Sequence, residues 1–244
     1  MKKRIALYFV LILISVSAFS QETGYRFGIF ADPVISWLNP DVSSVDSKGN
    51  RLGFNIGLSV DKFFAKNYAF SSGLSIHNAG GSLLFKPATT IRTNQGNISL
   101  PENTKVTYKL QYLHVPIGMK LLTNEIGYST FYGQLGLNAM VNIKATGVSN
   151  SGNLDNENIG KEINLINLGY HIGGGIEYSI GGNTRLTAGL VYMNGFTDVT
   201  SRGADKVVLQ NILIKTGRLF LTKVLMEQLQ VYKTKPIANP TYPY

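Results

Sequence analysis

The chain has no cysteine among its 244 residues. Disulfides and Cys-based metal sites are therefore excluded. So is a lipoprotein anchor, which is built on a cysteine thiol. Charge is also scarce, at 15%, where soluble domains carry about a quarter. After residue 20 there is no long apolar run, which argues against membrane-spanning helices. What is abundant is Gly (26), Tyr (13) and Phe (12). A weakly charged chain rich in Gly and Tyr suits a transmembrane β-barrel better than a helical membrane protein.

Met1–Gln21 has the pattern of a secretory leader. Lys2, Lys3 and Arg4 form a charged start, Ile5 to Val16 an apolar core, and Ala18-Phe19-Ser20 a small-residue site with cleavage expected before Gln21. Removing those three cations lowers the formal +9 to +6. The remaining cations are spread along the chain with no basic cluster and no nucleic-acid motif, so nucleic-acid binding is not expected.

Period-two alternation recurs in segments of about ten residues, the signature of barrel strands. Leu52, Phe54, Ile56, Leu58 and Val60 share one face, and Gly53, Asn55, Gly57, Ser59 and Asp61 the other. Similar segments start at Tyr68, Tyr112, Phe131, Leu168 and Arg185. Tyr25 to Trp37 and Val207 to Phe220 are less regular, and Pro33 suggests a bend or bulge in the first. Short links (Ala65–Asn67, Thr123–Gly127, Gly181–Asn183) alternate strictly with long ones (Asn39–Asn50, Asn78–Lys105, Ala145–Ile163, Asn194–Lys206). The expected fold is all-β: an eight-stranded up-and-down antiparallel transmembrane barrel. Its turns would be periplasmic, its long loops extracellular, and both mature termini periplasmic. The expected divisions are a leader at 1–20, a barrel at 21–220 and a periplasmic tail at 221–244. The tail carries Leu221, Leu225 and Leu229 at helical spacing, then Pro236, Pro240 and Pro243.

Aromatics cluster near the short-turn end. Tyr25, Phe64, Tyr68, Tyr128, Phe131, Tyr178 and Phe220 are candidates for a membrane-interface girdle. Trp37, Tyr108, Tyr192 and Phe196 would form a sparser outer belt. An eight-stranded barrel is just wide enough for side chains to fill. The charged positions assigned inward are Arg26, Asp61, His114, Lys120, Lys144, His171, Glu177, Arg185 and Lys215. Of these, Arg26, Lys120, Glu177, Arg185 and Lys215 are the expected interior charge network, with Glu177 and Arg185 as cross-strand or diagonal neighbours. The network reads as a plug rather than an ion path.

No catalytic motif stands out. Ser75 and His77 are adjacent on one expected face, but there is no G-x-S-x-G. Asp155, Glu157 and Glu162 read as a solvated acidic loop rather than a Ca²⁺ site. Gly173–Gly175 lies within a strand, where it would relieve crowding. An enzyme, a cofactor and a bound metal are all not expected.

Three segments, YLHVPIGMKLL (112–122), FYGQLGLNAMV (131–141) and GYHIGGGIEY (169–178), resemble the PorT-like outer-membrane β-barrel family of Bacteroidota. The similarity spans about residues 22–220. It implies a non-catalytic barrel with a structural or accessory role in an envelope assembly. The family's namesake branch is implicated in type IX secretion. The partners implied are outer-membrane lipid, and envelope or secretion proteins met through the outer loops or the tail. The alternatives are a small pore or a surface ligand-binding or adhesion barrel.

Overall fold

The computed structural model describes residues 24–151, 154–181, 184–202 and 206–221, with side chains as far as 216. The expected leader, the tail beyond Leu221 and the side chain of Phe220 lie outside the described residues.

The described residues form twelve strands: β1 Tyr25–Pro40, β2 Val45–Ser47, β3 Arg51–Ala65, β4 Tyr68–Phe85, β5 Thr89–Arg92, β6 Asn97–Leu100, β7 Thr104–Leu122, β8 Ser129–Ser149, β9 Glu157–Asn158, β10 Ile166–Gly181, β11 Thr184–Gly195 and β12 Val207–Leu221. Eight of them (β1, β3, β4, β7, β8, β10, β11 and β12) pair in sequence, each antiparallel to the next. β12 pairs back onto β1, from Phe27 opposite Leu221 to Pro40 opposite Val207. The sheet is therefore a closed ring, the one β-architecture that satisfies every backbone group in lipid. The expected eight-stranded barrel is the observed one.

Pro33 has no N–H to donate to a ladder. Between Ile29 and Val34 the β1–β12 register gains a residue on β12, and β11 slips against β12 between Thr187 and Ala188. One extra residue in β12, Gly217, accounts for both shifts.

The outward positions carry Leu52, Phe54, Ile56, Leu58, Phe70, Leu74, Ile117, Leu135, Leu137, Ile172 and Leu190, all exposed. Exposure of so many large apolar side chains is stable only against hydrocarbon. The aromatic candidates border this band at the short-turn end. Tyr25, Tyr68, Tyr128, Phe131 and Tyr178 are exposed, and Phe64 is half-buried between Tyr68 and Phe70. Tyr128 meets Tyr178 with ring centroids 6.2 Å apart.

The strands run further than the alternation suggested. β4, β7 and β8 have 18, 19 and 21 residues, where about 9–11 cross a bilayer. The region expected as the loop Asn78–Lys105 is largely ordered. Asn78–Phe85 continues β4, Thr104 already belongs to β7, and β5 and β6 form a hairpin between them. Ala145–Ser149 likewise continues β8. The physical reason is in the inward positions: Ala79, Leu83, Phe85, Val106, Tyr108, Leu110 and Ala145 are all buried. Alternation persists there with apolar residues pointing in, beneath polar ones pointing out.

Candidate functional site

The bore is filled in three levels. At the short-turn end Lys120 Nζ lies 2.9 Å from Asp61 Oδ2 and also contacts Glu177 Oε1. Arg26 reaches Glu177 Oε2 at 3.3 Å. Ser71 Oγ donates to Asp61 Oδ1 at 2.6 Å. Asp61, Lys120 and Glu177 are at most 2% exposed. Two acids and two bases thus neutralise one another in a region too buried to tolerate a lone charge. Lys120 Nζ also lies 4.9 Å from the centroid of the Tyr132 ring.

The other two members of the expected network lie elsewhere. Arg185 does not bond Glu177. It donates to Glu125 Oε2 and Thr130 Oγ1, both at 2.9 Å, because β11 carries it towards the turn that holds Glu125. Lys215 sits higher, buried against Gln134 Oε1 and the Tyr132 ring. Tyr132 itself crosses the bore because Gly175 and Gly189 leave room. A Cβ on either would meet its hydroxyl at 2.9 or 2.6 Å. This is the use of the Gly-rich strand.

Lys144 was expected inside and is exposed. Between Gln111 and Tyr112 the β7–β8 register skips one β8 residue, Gln111 facing Lys144 and Tyr112 facing Asn142. A bulge of this kind reverses the facing of every residue beyond it. Ile143 and Lys144 both point outward.

The middle level is polar. Ser75 Oγ lies 3.1 Å from His114 Nδ1. His114 Nε2 and His171 Nδ1 lie 3.0 and 2.9 Å from Asn138 Oδ1. An amide oxygen only accepts, so both ring nitrogens donate to it. His114 Nδ1 is then the acceptor of the Ser75 hydroxyl. The partner of Ser75 is thus His114, not His77. The His77 ring is tilted against that of His114, with centroids 5.5 Å apart, and is fully buried. An internal cavity of about 50 Å³ adjoins this group, lined in part by Asp32, Asn55, Asn138, His171 and Lys215. That is room for roughly three or four water molecules, and far too little for a lipid or a peptide.

The third level, towards the long loops, is apolar, which the expectation of a polar interior missed. Val34, Leu38, Leu83, Leu110, Met140 and Leu209 fill the bore. Val45, Ile91, Leu100, Leu154, Ile159 and Val199 cap it from the loops. Tyr108 belongs here, fully buried, and not to the outer belt. It stands beyond the lipid-facing band. Its burial pushes the phenol pKa up; nearby Arg202 opposes this and Glu162 adds to it. The remaining belt candidates do face outward. Trp37 Nε1 donates to Gln210 Oε1 at 2.6 Å, and Tyr192 and Phe196 both pack on Tyr170.

One buried acid ties the cap together. Glu162 is fully buried and bonds Arg92 Nε at 3.2 Å and Arg202 Nε. Arg92 also donates to the carbonyl of Ser201 at 2.9 Å, and Arg202 to Thr89 Oγ1 at 2.9 Å. Three long connections meet at this carboxylate. Of the acidic loop, Asp155 stays exposed and Glu157 half-buried. Among the described residues no group of His, Asp and Glu is placed to hold a metal ion.

No curated protein sequence matches the chain. Among solved structures, it is similar to Neisserial surface protein A at 14% identity, covering 81% of this chain and 96% of that one, with a TM-score of 0.47. For the attachment invasion locus protein Ail of Yersinia pestis the values are 17%, 81%, 99% and 0.40. For OprG of Pseudomonas aeruginosa they are 11%, 81%, 95% and 0.45. A family model, the outer membrane protein beta-barrel domain, matches residues 19–201. By that match, and by its closed barrel with a lipid-facing exterior, the chain belongs to the outer membrane protein beta-barrel domain family.

Proposed function

We propose that this is a non-catalytic, non-conducting barrel, a structural or accessory component of an outer-membrane assembly. The observation that carries the reading is the filled bore: a neutralised ion cluster, a polar level and an apolar plug in series. Such an interior offers neither a continuous aqueous path nor a cleft for substrate. Contact with other molecules then falls to the capped long-loop end, the outer wall or the chain termini. The barrel sits with its short turns in the periplasm and its long loops outside, after removal of a leader at 1–20. The resemblance of residues 112–122, 131–141 and 169–178 to PorT-like proteins supports type IX secretion as the assembly concerned.

The test has three arms. Purified protein in planar bilayers should give no unitary currents; stable openings would instead establish a small pore. Affinity capture from solubilised envelopes should bring down other envelope proteins, and deletion should reduce secreted cargo. Protease shaving of intact cells should cut the loops, and would miss them if the orientation were reversed. The ordered crown held by Glu162 favours a second reading, a surface ligand-binding or adhesion barrel. That reading gains if deletion lowers surface attachment and leaves secretion intact.

A further inference from the structure

The bulge in β8 does more than correct an inward assignment. It places Lys144 on the outer wall opposite Gln111, and Thr146 opposite Lys109. Lys109 and Lys144 are therefore diagonal neighbours on one face, with β-carbons about 7–8 Å apart. Lys144 is exposed and Lys109 half-buried.

No acid forms an ion pair with either among the described residues. Among the described residues the ion pairs at this end are Lys86–Asp46, Arg92–Glu162 and Arg202–Glu162. Asp155 and Glu157 in the adjoining loop pair with neither lysine. Lys109 Nζ donates to Asn156 Oδ1 at 3.2 Å, which leaves two of its three protons free. Two like charges side by side repel unless an anion lies between them. Gln111 stands beside them, and the next outward position of β4, Asn78, faces Gln111. Its Nδ2 is buried and has no hydrogen-bond partner among the described residues, so it is not open to this face. The face thus offers two cations with the Gln111 amide between them.

Depth identifies the anion. The last outward tier that is apolar on all three strands is Ile76, Leu113 and Val141, paired across β4, β7 and β8, with exposed Ile143 one step further on β8. Lys144 and Lys109 stand two and four residues beyond it along the ladder. At about 3.3 Å per residue on a tilted strand, that is roughly 5–10 Å above that tier, from the edge of the hydrocarbon outward. This is the level of lipid headgroups. The paired outward residues Asn194, Gln210 and Trp37 of β11, β12 and β1, by contrast, are all uncharged. Hydrocarbon on the tier below brings a lipid phosphate to this face, whereas a soluble anion would have to be captured from bulk water.

We propose that Lys109 and Lys144, with Gln111 beside them, bind the phosphate of a bilayer lipid headgroup. With the long loops outside, as proposed above, that lipid is the phosphorylated glycolipid of the outer leaflet. The orientation is read separately by protease shaving.

The test is native mass spectrometry of the full barrel in detergent with added diphosphoryl lipid A. One such lysine changes affinity about five-fold. The Lys109→Gln/Lys144→Gln variant should therefore hold lipid A on the order of 25-fold more weakly than the unaltered protein. Lys105→Gln, on the same strand face but four residues further out, should bind as the unaltered protein does. Dephosphorylated lipid A should bind both forms equally weakly. Equal retention of lipid A by the double variant would overturn the site, as would an equal loss in Lys105→Gln. Displacement of lipid A by millimolar inorganic phosphate would also overturn it, by showing a soluble-anion site. Unchanged heat-modifiable migration of the variants on gels certifies that the barrels are folded.

Discussion

Lys120 and Glu177 are 57 residues apart in sequence and meet inside the bore, on strands separated by β8. Neither can find its partner until the sheet has curled. The contact is thus a product of closure and also a brace across it.

Breaking that brace on one side should be costly. Lys120→Met removes the cation that Asp61 and Glu177 share, leaving two acids beside Arg26. The expected loss is about 3–5 kcal/mol, read as a lower urea midpoint for unfolding in detergent or lipid. Adding Asp61→Asn removes one of the two acids and should recover a large part of the loss. No recovery would mean that Asp61 and Lys120 do not form the pair.

The crown should come loose without the barrel. Glu162→Gln removes the charge that Arg92 and Arg202 share. Amides of Thr89–Leu100 should lose on the order of a hundred-fold of exchange protection. The unfolding midpoint of the barrel should hardly move. Matching losses throughout the barrel would show that crown and barrel unfold as one unit.

Tyr108 gives a prediction with a pH sign. Its hydroxyl is buried with no hydrogen-bond partner among the described residues. Tyr108→Phe deletes an uncompensated polar group and should be neutral or stabilising by up to about 1 kcal/mol. The phenol pKa is raised by burial, from an unfolded value of 10.0. Above that pH the unfolded chain releases a proton that the folded chain retains, so stability is full below pH 10 and falls above it. Unfolding series from pH 8 to 11 should show a gentler decline in Tyr108→Phe than in the unaltered protein. Identical slopes would place the phenol in contact with water.

Gly175→Ala should fail to assemble. Its new Cβ would lie 2.1 Å from the carbonyl oxygen of Ala188 and 2.7 Å from the Cα of Gly189, backbone atoms that cannot step aside. Refolding into detergent should yield no heat-modifiable species. Gly24, with open space around it, should accept the same change.

The strand count, the lipid face and the sorting of short from long links were legible because period-two alternation is a local property. Where two positions share a strand, parity was enough, and His114, Lys120 and Glu177 point inward as expected. What failed depended on distant partners. No local signal marks the skipped residue that turns Lys144 outward. Nor does anything near Ser75 favour His114, on another strand, over His77, two residues away. The apolar plug was hidden by a different effect. Polar outward residues of the extended β4 and β7, such as Asn78 and Thr107, masked the inward Ala79, Tyr108 and Leu110. The stretch therefore resembled a loop. Asp61 was assigned inward but left out of the network, although its β1 neighbour is Arg26.

The pairing of β12 with β1 also sets an order of events. Every barrel strand but these two has both neighbours adjacent in sequence, so the sheet can grow one hairpin at a time. The seam waits for the last strand. A chain lacking Val207–Leu221 would present two unsatisfied edges to lipid, each a row of bare N–H and C=O groups. Assembly in the membrane is therefore decided at the end of the chain, and truncations there should be removed as unassembled protein instead of accumulating as smaller barrels.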